Sequence, residues 1–241
     1  MFKITLSPGH GKNTPGKRCP DDSMREWEFN CAVVTKMIDL FSHYKDVAVK
    51  RLDDPTGKVD ISVEKRAQTS NNWNADYHLD VHANAAGDNW SDVNGIETFS
   101  YKLSGTSFEI AKKLQKALIN ATGLKDRGVK NGDCFYMVNT TKAPANLVEC
   151  GFMTNKNEAA LLKSDAYRDK VANTLVEAIT SHFKLQKVQE QPKPVEKPKE
   201  PIKPDGKLHK VQVGAFSDPK NADKLAEELK KKGYNPFIVK G

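Results

Sequence analysis

The chain has 241 residues and a net charge of +7, with 38 Lys/Arg against 31 Asp/Glu and 38 % hydrophobic residues. That length fits one large domain with something small attached, and no apolar run approaches membrane-spanning length. Residues 185–241 carry 13 Lys against 8 Asp/Glu, five of the seven net positive charges, so an anionic partner is expected for the tail: nucleic acid, a membrane surface or an anionic wall polymer.

Cys19, Cys31, Cys134 and Cys150 form no CxxC pair, which argues against a cysteine zinc site and fits reduced thiols in a protein made in the cytoplasm. Met1 runs straight into a strand, with no signal-peptide pattern. Residues 3–6 (KITL) read as a short buried strand that delivers the backbone into "SPGHGKNTPG". From Glu26, the spacing of Phe29, Val33, Met37 and Leu40 predicts a helix. A strand is expected at 46–50, a helix over Ser62–Trp73, a strand at 75–84 and another at 95–101. The amphipathic run 107–122 predicts a helix stopped by Gly123. "DCFYMV" (133–138) and "ANLVEC" (145–150) read as strands, followed by helices at 156–163 and 166–184. Alternating strands and helices predict an α/β fold, a mostly parallel twisted sheet flanked by helices. Residues 185–206 hold five prolines between 187 and 206 and no aromatic, a charged linker that spans roughly 60 Å if extended at about 3.1 Å per residue. Residues 207–241 read as one βαβ unit, with Ala222, Leu225, Ala226 and Leu229 as the apolar face of its helix.

In a parallel sheet, ligands gather past the carboxyl ends of the strands. His10 follows the first strand and His82 ends the "YHLDV" strand, so both fall on one sheet edge. Glu26, in "SMREWEFN", and Glu149, among apolar Leu147, Val148, Cys150 and Phe152, complete two His and two Glu. That set matches a His₂Glu zinc site with an extra carboxylate. Competing readings stand beside each. A loop His is usually solvated, Ser23 to Glu26 is also a capping box, and Glu149 fits a paired surface carboxylate. His78 reads as a decoy inside its strand, Asn30 shares the Glu26 helix face, and Arg66 reads as structural.

Together, "SPGHG", "EWEFN", "VHANAA", "NGIETF" and "RGVKNGDCFYMVNTTKAPANLVECGFMTN" resemble the zinc-dependent N-acetylmuramoyl-L-alanine amidases of the Amidase_3 family, over roughly residues 1–184. The resemblance implies that His10, Glu26 and His82 hold zinc and that Glu149 is the catalytic glutamate. It implies hydrolysis, by zinc-activated water, of the amide joining N-acetylmuramic acid to L-alanine of peptidoglycan. The family's usual Asp before Pro-Gly-His is Ser7 here, and the stretch from His82 to Gly95 has no room for an occluding helix, so an open site is expected. The tail's "VQVGAF" strand and following helix resemble half of a SPOR domain, a wall-binding module.

The alternatives are a zinc peptidase acting on wall peptides, against which the 15-residue separation of His10 and Glu26 argues, and a non-catalytic wall-binding protein. Nucleic-acid binding is disfavoured because the tail has no arginine. The expected partner is peptidoglycan, with anionic wall polymers as candidates for the basic tail. A half module of about 35 residues is too small to hold a core alone, so a homodimer through paired tails is expected. Action at the wall is expected after lysis or holin-type release, as a phage endolysin or an autolysin.

Overall fold

A computed structural model describes residues 1–188 and 212–239. The chain divides into two compact units, Met1–Gln189 and Glu190–Gly241.

The first unit is built on a six-stranded sheet. Its strands are β1 (Phe2–Pro8), β2 (Val47–Arg51), β3 (Tyr77–Asn84), β4 (Ile96–Ser100), β5 (Asp126–Asn131) and β6 (Ala145–Phe152), in the spatial order β2-β1-β3-β6-β4-β5. All neighbours are parallel except β4 and β6, which run antiparallel. The helices are α1 (Glu26–Phe41), α2 (Val63–Asn72), α3 (Gly105–Thr122), α4 (Tyr136–Thr140), α5 (Lys156–Lys163) and α6 (Asp165–His182). Local chemistry sets their ends. The Ser62 side chain accepts from Lys65 N to start α2, and Gly123, at φ 69°, closes α3 in the left-handed conformation that glycine adopts without a Cβ clash.

The two faces of the sheet differ because side chains alternate along a strand. One set, Ile4 and Leu6, Leu79 and Val81, Val148 and Cys150, and Ile96, belongs to the main hydrophobic core. It is covered by α1, α3 and α6, with α6 packed against both of the others. The alternate set is largely polar. Ser7 pairs with Asp80, His82 with Glu149, and Glu149 with Glu97, so these residues form a row across the other face. That face is flanked by α2 and α4, which contact each other.

One local reading is corrected. "DCFYMV" is not a strand: residues 136–140 form α4, which buries Met137 and Val138. The strand lies just before it, at β5. A short apolar run does not distinguish strand from helix by period. β5 escaped notice because it is the sheet's edge strand, with half-exposed, mostly polar residues instead of an alternating apolar set.

The first unit extends past residue 184. Leu185 N donates to Thr180 O, Lys45 N donates to Gln186 O at 2.8 Å, and Val188 N donates to His43 O at 2.8 Å. Most of the expected linker lies outside the described residues. In the second unit the expected helix is present as α7 (Pro219–Lys231), with Asp218 Oδ1 accepting from Lys220 N and Pro219 in its first turn. Ala222, Leu225, Ala226 and Leu229 are its half-covered positions, the stripe that the spacing predicts. The described residues on either side of α7 form no strand.

Candidate active site

β1 and β3 are adjacent and parallel, so the residues that follow them emerge side by side. His10 stands in the loop after β1, and His82 lies near the end of β3. α1 begins at Glu26 and points its first-turn carboxylate between them. Glu26 Oε2 lies 3.2 Å from His10 Nε2, and Oε1 lies 2.8 Å from His82 Nδ1. The two imidazoles meet edge to face, with centroids 5.1 Å apart. Ligand atoms of His10, Glu26 and His82 all lie within 4.8 Å of one another.

The glycines around His10 have a steric purpose. A Cβ on Gly9 would stand 2.1 Å from Cε1 of His82, so only glycine lets that ring close onto the loop. His10 itself has φ 64°, a left-handed conformation that costs a non-glycine residue about 1–3 kcal/mol unless its surroundings hold it. The holding group is Arg66. Its guanidinium is 3 % exposed and donates to Ser7 Oγ (2.9 Å), Pro8 O and His10 O (3.0 Å), while Nε donates to Ile61 O (2.8 Å). Arg66 therefore fixes the backbone that carries His10. The sequence reading left it as a helical residue because its partners lie 56–59 positions away.

Glu26 is not part of a Ser23 capping box. Arg25 caps α1, and it is Glu28 that reaches back to accept from Arg25 N at 2.7 Å. The Glu26 carboxylate instead accepts from Asn30 Nδ2 (3.2 Å) and Ala83 N (3.3 Å). Asn30 also donates to Gly9 O at 3.1 Å, tying the helix to the histidine loop. Burial works against ionisation of Glu26, but the His10 and His82 hydrogen bonds outweigh it and hold its carboxyl well below the ordinary range. Burial likewise opposes a charge on His82, yet Glu26, with help from Glu149 and Asp80, pushes it up to about 9.

His78 belongs to a different network. It is fully buried, with Nδ1 2.9 Å from Thr5 Oγ1 and Nε2 3.2 Å from Asp80 Oδ2. Ser7 lies in register with Asp80, and its hydroxyl helps to favour the Asp80 carboxylate. A buried carboxylate thus still stands beneath the loop, supplied by the next strand.

Glu149 lies beside His82 across the β3–β6 ladder. Its Oε2 is buried and has no hydrogen-bond partner. Burial pushes its carboxyl up to about 8; the His82 charge opposes this, while Glu26 and Glu97 add to it. A buried polar atom left unpaired is costly and marks a place where a ligand or substrate completes the set. The four residues line a cleft of about 580 Å³, whose apolar lining includes Ile61, Val63, Phe135, Tyr136 and Met137. No helix forms between β3 and β4 to cover it.

Comparison with known proteins bears on this arrangement. The N-acetylmuramoyl-L-alanine amidase family, Amidase_3, matches residues 4–181, and the SPOR domain matches residues 185–240. The chain is 28 % identical over 242 residues to the N-acetylmuramoyl-L-alanine amidase CwlM of Bacillus licheniformis, and 27 % identical over 242 residues to the sporulation-specific N-acetylmuramoyl-L-alanine amidase of Bacillus subtilis. Each alignment spans 99 % of this chain and 85 % of the relative. The crystal structure of an N-acetylmuramoyl-L-alanine amidase from Clostridium difficile 630 superposes with a TM-score of 0.70 at 28 % identity, over 76 % of this chain and 97 % of that one. The motif order, the sheet and the cleft residues converge on one conclusion: this chain belongs to the Amidase_3 family of N-acetylmuramoyl-L-alanine amidases, hydrolases of peptidoglycan.

Proposed function

We propose that His10, Glu26 and His82 hold a zinc ion and that Glu149 is the catalytic residue for cleavage of the muramoyl–L-alanine amide. The observation that carries this is the unpartnered Oε2 of Glu149 beside a His₂Glu cluster. Two imidazoles and one carboxylate suit zinc, and three protein ligands are the number that a catalytic site uses. When bound, zinc supplies Lewis acidity toward the amide carbonyl and lowers the pKa of water. Glu149 takes the proton of the attacking water and returns it to the departing L-alanine nitrogen. A nearby cation opposes the upward shift of Glu149 and favours the carboxylate that accepts the proton. Arg66 and Asn30 hold the loop and the helix in register, and the open cleft admits a polymer.

The test is metal dependence. Chelation is expected to abolish release of peptide amines from purified wall, and zinc to restore it. Full activity in the chelated enzyme overturns the metal assignment. Release of peptides without free lactyl groups on the glycan would favour the peptidase alternative, and zinc binding without turnover would favour a wall-binding protein.

The C-terminal SPOR domain supplies wall binding, and its lysine excess suits anionic wall polymers. The absence of arginine from the tail weakens a nucleic-acid reading. Pairing of two tails would raise effective affinity by linking two wall contacts. Light scattering is expected to give a dimer for the full chain and a monomer for residues 1–189. A monomeric full chain at tens of micromolar removes the paired-tail assembly. The site of action is the cell wall, reached after lysis or holin-type release. Similarity to a sporulation-specific amidase over 99 % of this chain favours an autolysin over a phage endolysin.

A further inference from the structure

The polar face of the sheet continues beyond Glu149. β6 and β4 place Glu149 directly opposite Glu97, so both carboxylates stand on one face. Glu97 is nearly buried, and its carboxylate is fully engaged. Oε1 accepts from Asn84 Nδ2 at 2.8 Å, while Oε2 accepts from Arg127 Nε at 2.6 Å and from the Lys130 ammonium. Lys130 lies opposite Phe99 in the β4–β5 ladder, two residues along from Glu97, and so shares its face.

Two cations on one carboxylate leave one positive charge uncompensated. Both still reach solvent: the Arg127 and Lys130 side chains are 26 % and 40 % exposed. Neither waves freely. Arg127 also donates to Asn94 O at 3.4 Å and lies over the Phe152 ring at 4.9 Å. An anion arriving there meets donors already fixed in place, which lowers the cost of binding.

The cluster has a defined distance from the chemistry. Strands are spaced about 4.8 Å apart, and the two head groups meet at Glu97, one strand from Glu149, while β5 itself lies two strands away, so the cations stand between about 5 and 10 Å from Glu149. An extended peptide advances about 3.4 Å per residue, which brings the second or third residue of a stem peptide to this point. We infer that Arg127 and Lys130, held by Glu97, form a subsite for a free carboxylate on the stem peptide, two or three residues beyond the scissile amide. The inference rests on the amidase reading of the site. It assigns to Glu97 a positioning role and to the edge strand β5 a role in substrate choice. The competing role for these residues is to pin β5 to the sheet.

The test uses the full chain and two soluble muropeptides that differ only in whether that stem carboxylate is free or amidated. The parent enzyme is expected to favour the free acid by about tenfold in kcat/KM, mainly through KM, and to lose the preference as salt rises. Lys130→Gln is expected to bring the ratio toward one, and Lys130→Arg to keep it. Because Lys130 is part-exposed the variant should fold, and its thermal midpoint checks that. A parent ratio near one, or a ratio unchanged in both Lys130→Gln and the Arg127→Gln/Lys130→Gln double variant, overturns the subsite. A parent that cleaves neither muropeptide removes the amidase reading and the subsite with it; one that cleaves both equally removes the subsite alone.

Discussion

Glu149→Gln is expected to lower kcat by about 10²–10⁴-fold, the usual contribution of a general acid–base group, while the protein keeps its zinc. Glutamine matches the shape of the side chain but neither takes nor returns a proton. Glu149 is not among the grouped ligand atoms of His10, Glu26 and His82, so metal content measured on the purified variant should stay at the parent level. Loss of the metal together with activity would make Glu149 a ligand instead. The same variant has a second signature. In the metal-free protein Glu149 is raised to about 8, so between its ordinary range and pH 8 the folded state binds a proton that the unfolded state releases. The Glu149 contribution to the stability of the metal-free parent therefore falls as pH rises through that window and is gone above about 8. Glu149→Gln removes this part of the fall, and denaturant midpoints at pH 5 and pH 8 measure it.

His10→Ala, His82→Ala and Glu26→Ala are each expected to take zinc from about one ion per chain to near zero and to end turnover, since each removes one of three ligands. Retained metal and activity in any of them would dismantle the cluster. Glu26→Ala is also expected to lower the thermal midpoint, because it leaves buried His82 without its carboxylate partner, so metal content is read on protein shown to be folded. Metal uptake must also displace a proton. His82 is raised to about 9, so below that pH zinc competes with hydrogen ions, and affinity is expected to weaken by about tenfold per pH unit for each proton displaced. Titrations with zinc at pH 6, 7 and 8 would reveal the slope; a flat response would mean that His82 is not a ligand.

Much of the site was legible because its chemistry follows local order. His10 and His82 each close an apolar strand run, and parallel strands bring their carboxyl ends together. Glu149 stood out as a carboxylate inside an apolar strand, and that strand is buried throughout. Glu26 was ambiguous because Ser23 stood at capping distance, and only the turn of the chain at Arg25 separates the two readings. Arg66 and Asp80 were not legible: their partners come from other elements, and no local pattern marks a guanidinium that grips carbonyls of a distant loop. β5 and α4 were misplaced for a related reason. An edge strand held by ion pairs to Glu97 has no apolar alternation to announce it, and the aromatic run after it imitates one.

The two-faced sheet has an evolutionary consequence. Along β3, residues 77, 79 and 81 serve the core, while 78, 80 and 82 serve the polar face; along β6, 148 and 150 serve the core, while 147 and 149 line the cleft. Folding and chemistry thus read alternate letters of the same strands. A change on the cleft side leaves the packed layer intact, so descendants of this sheet are free to explore new wall chemistries without first learning to fold again.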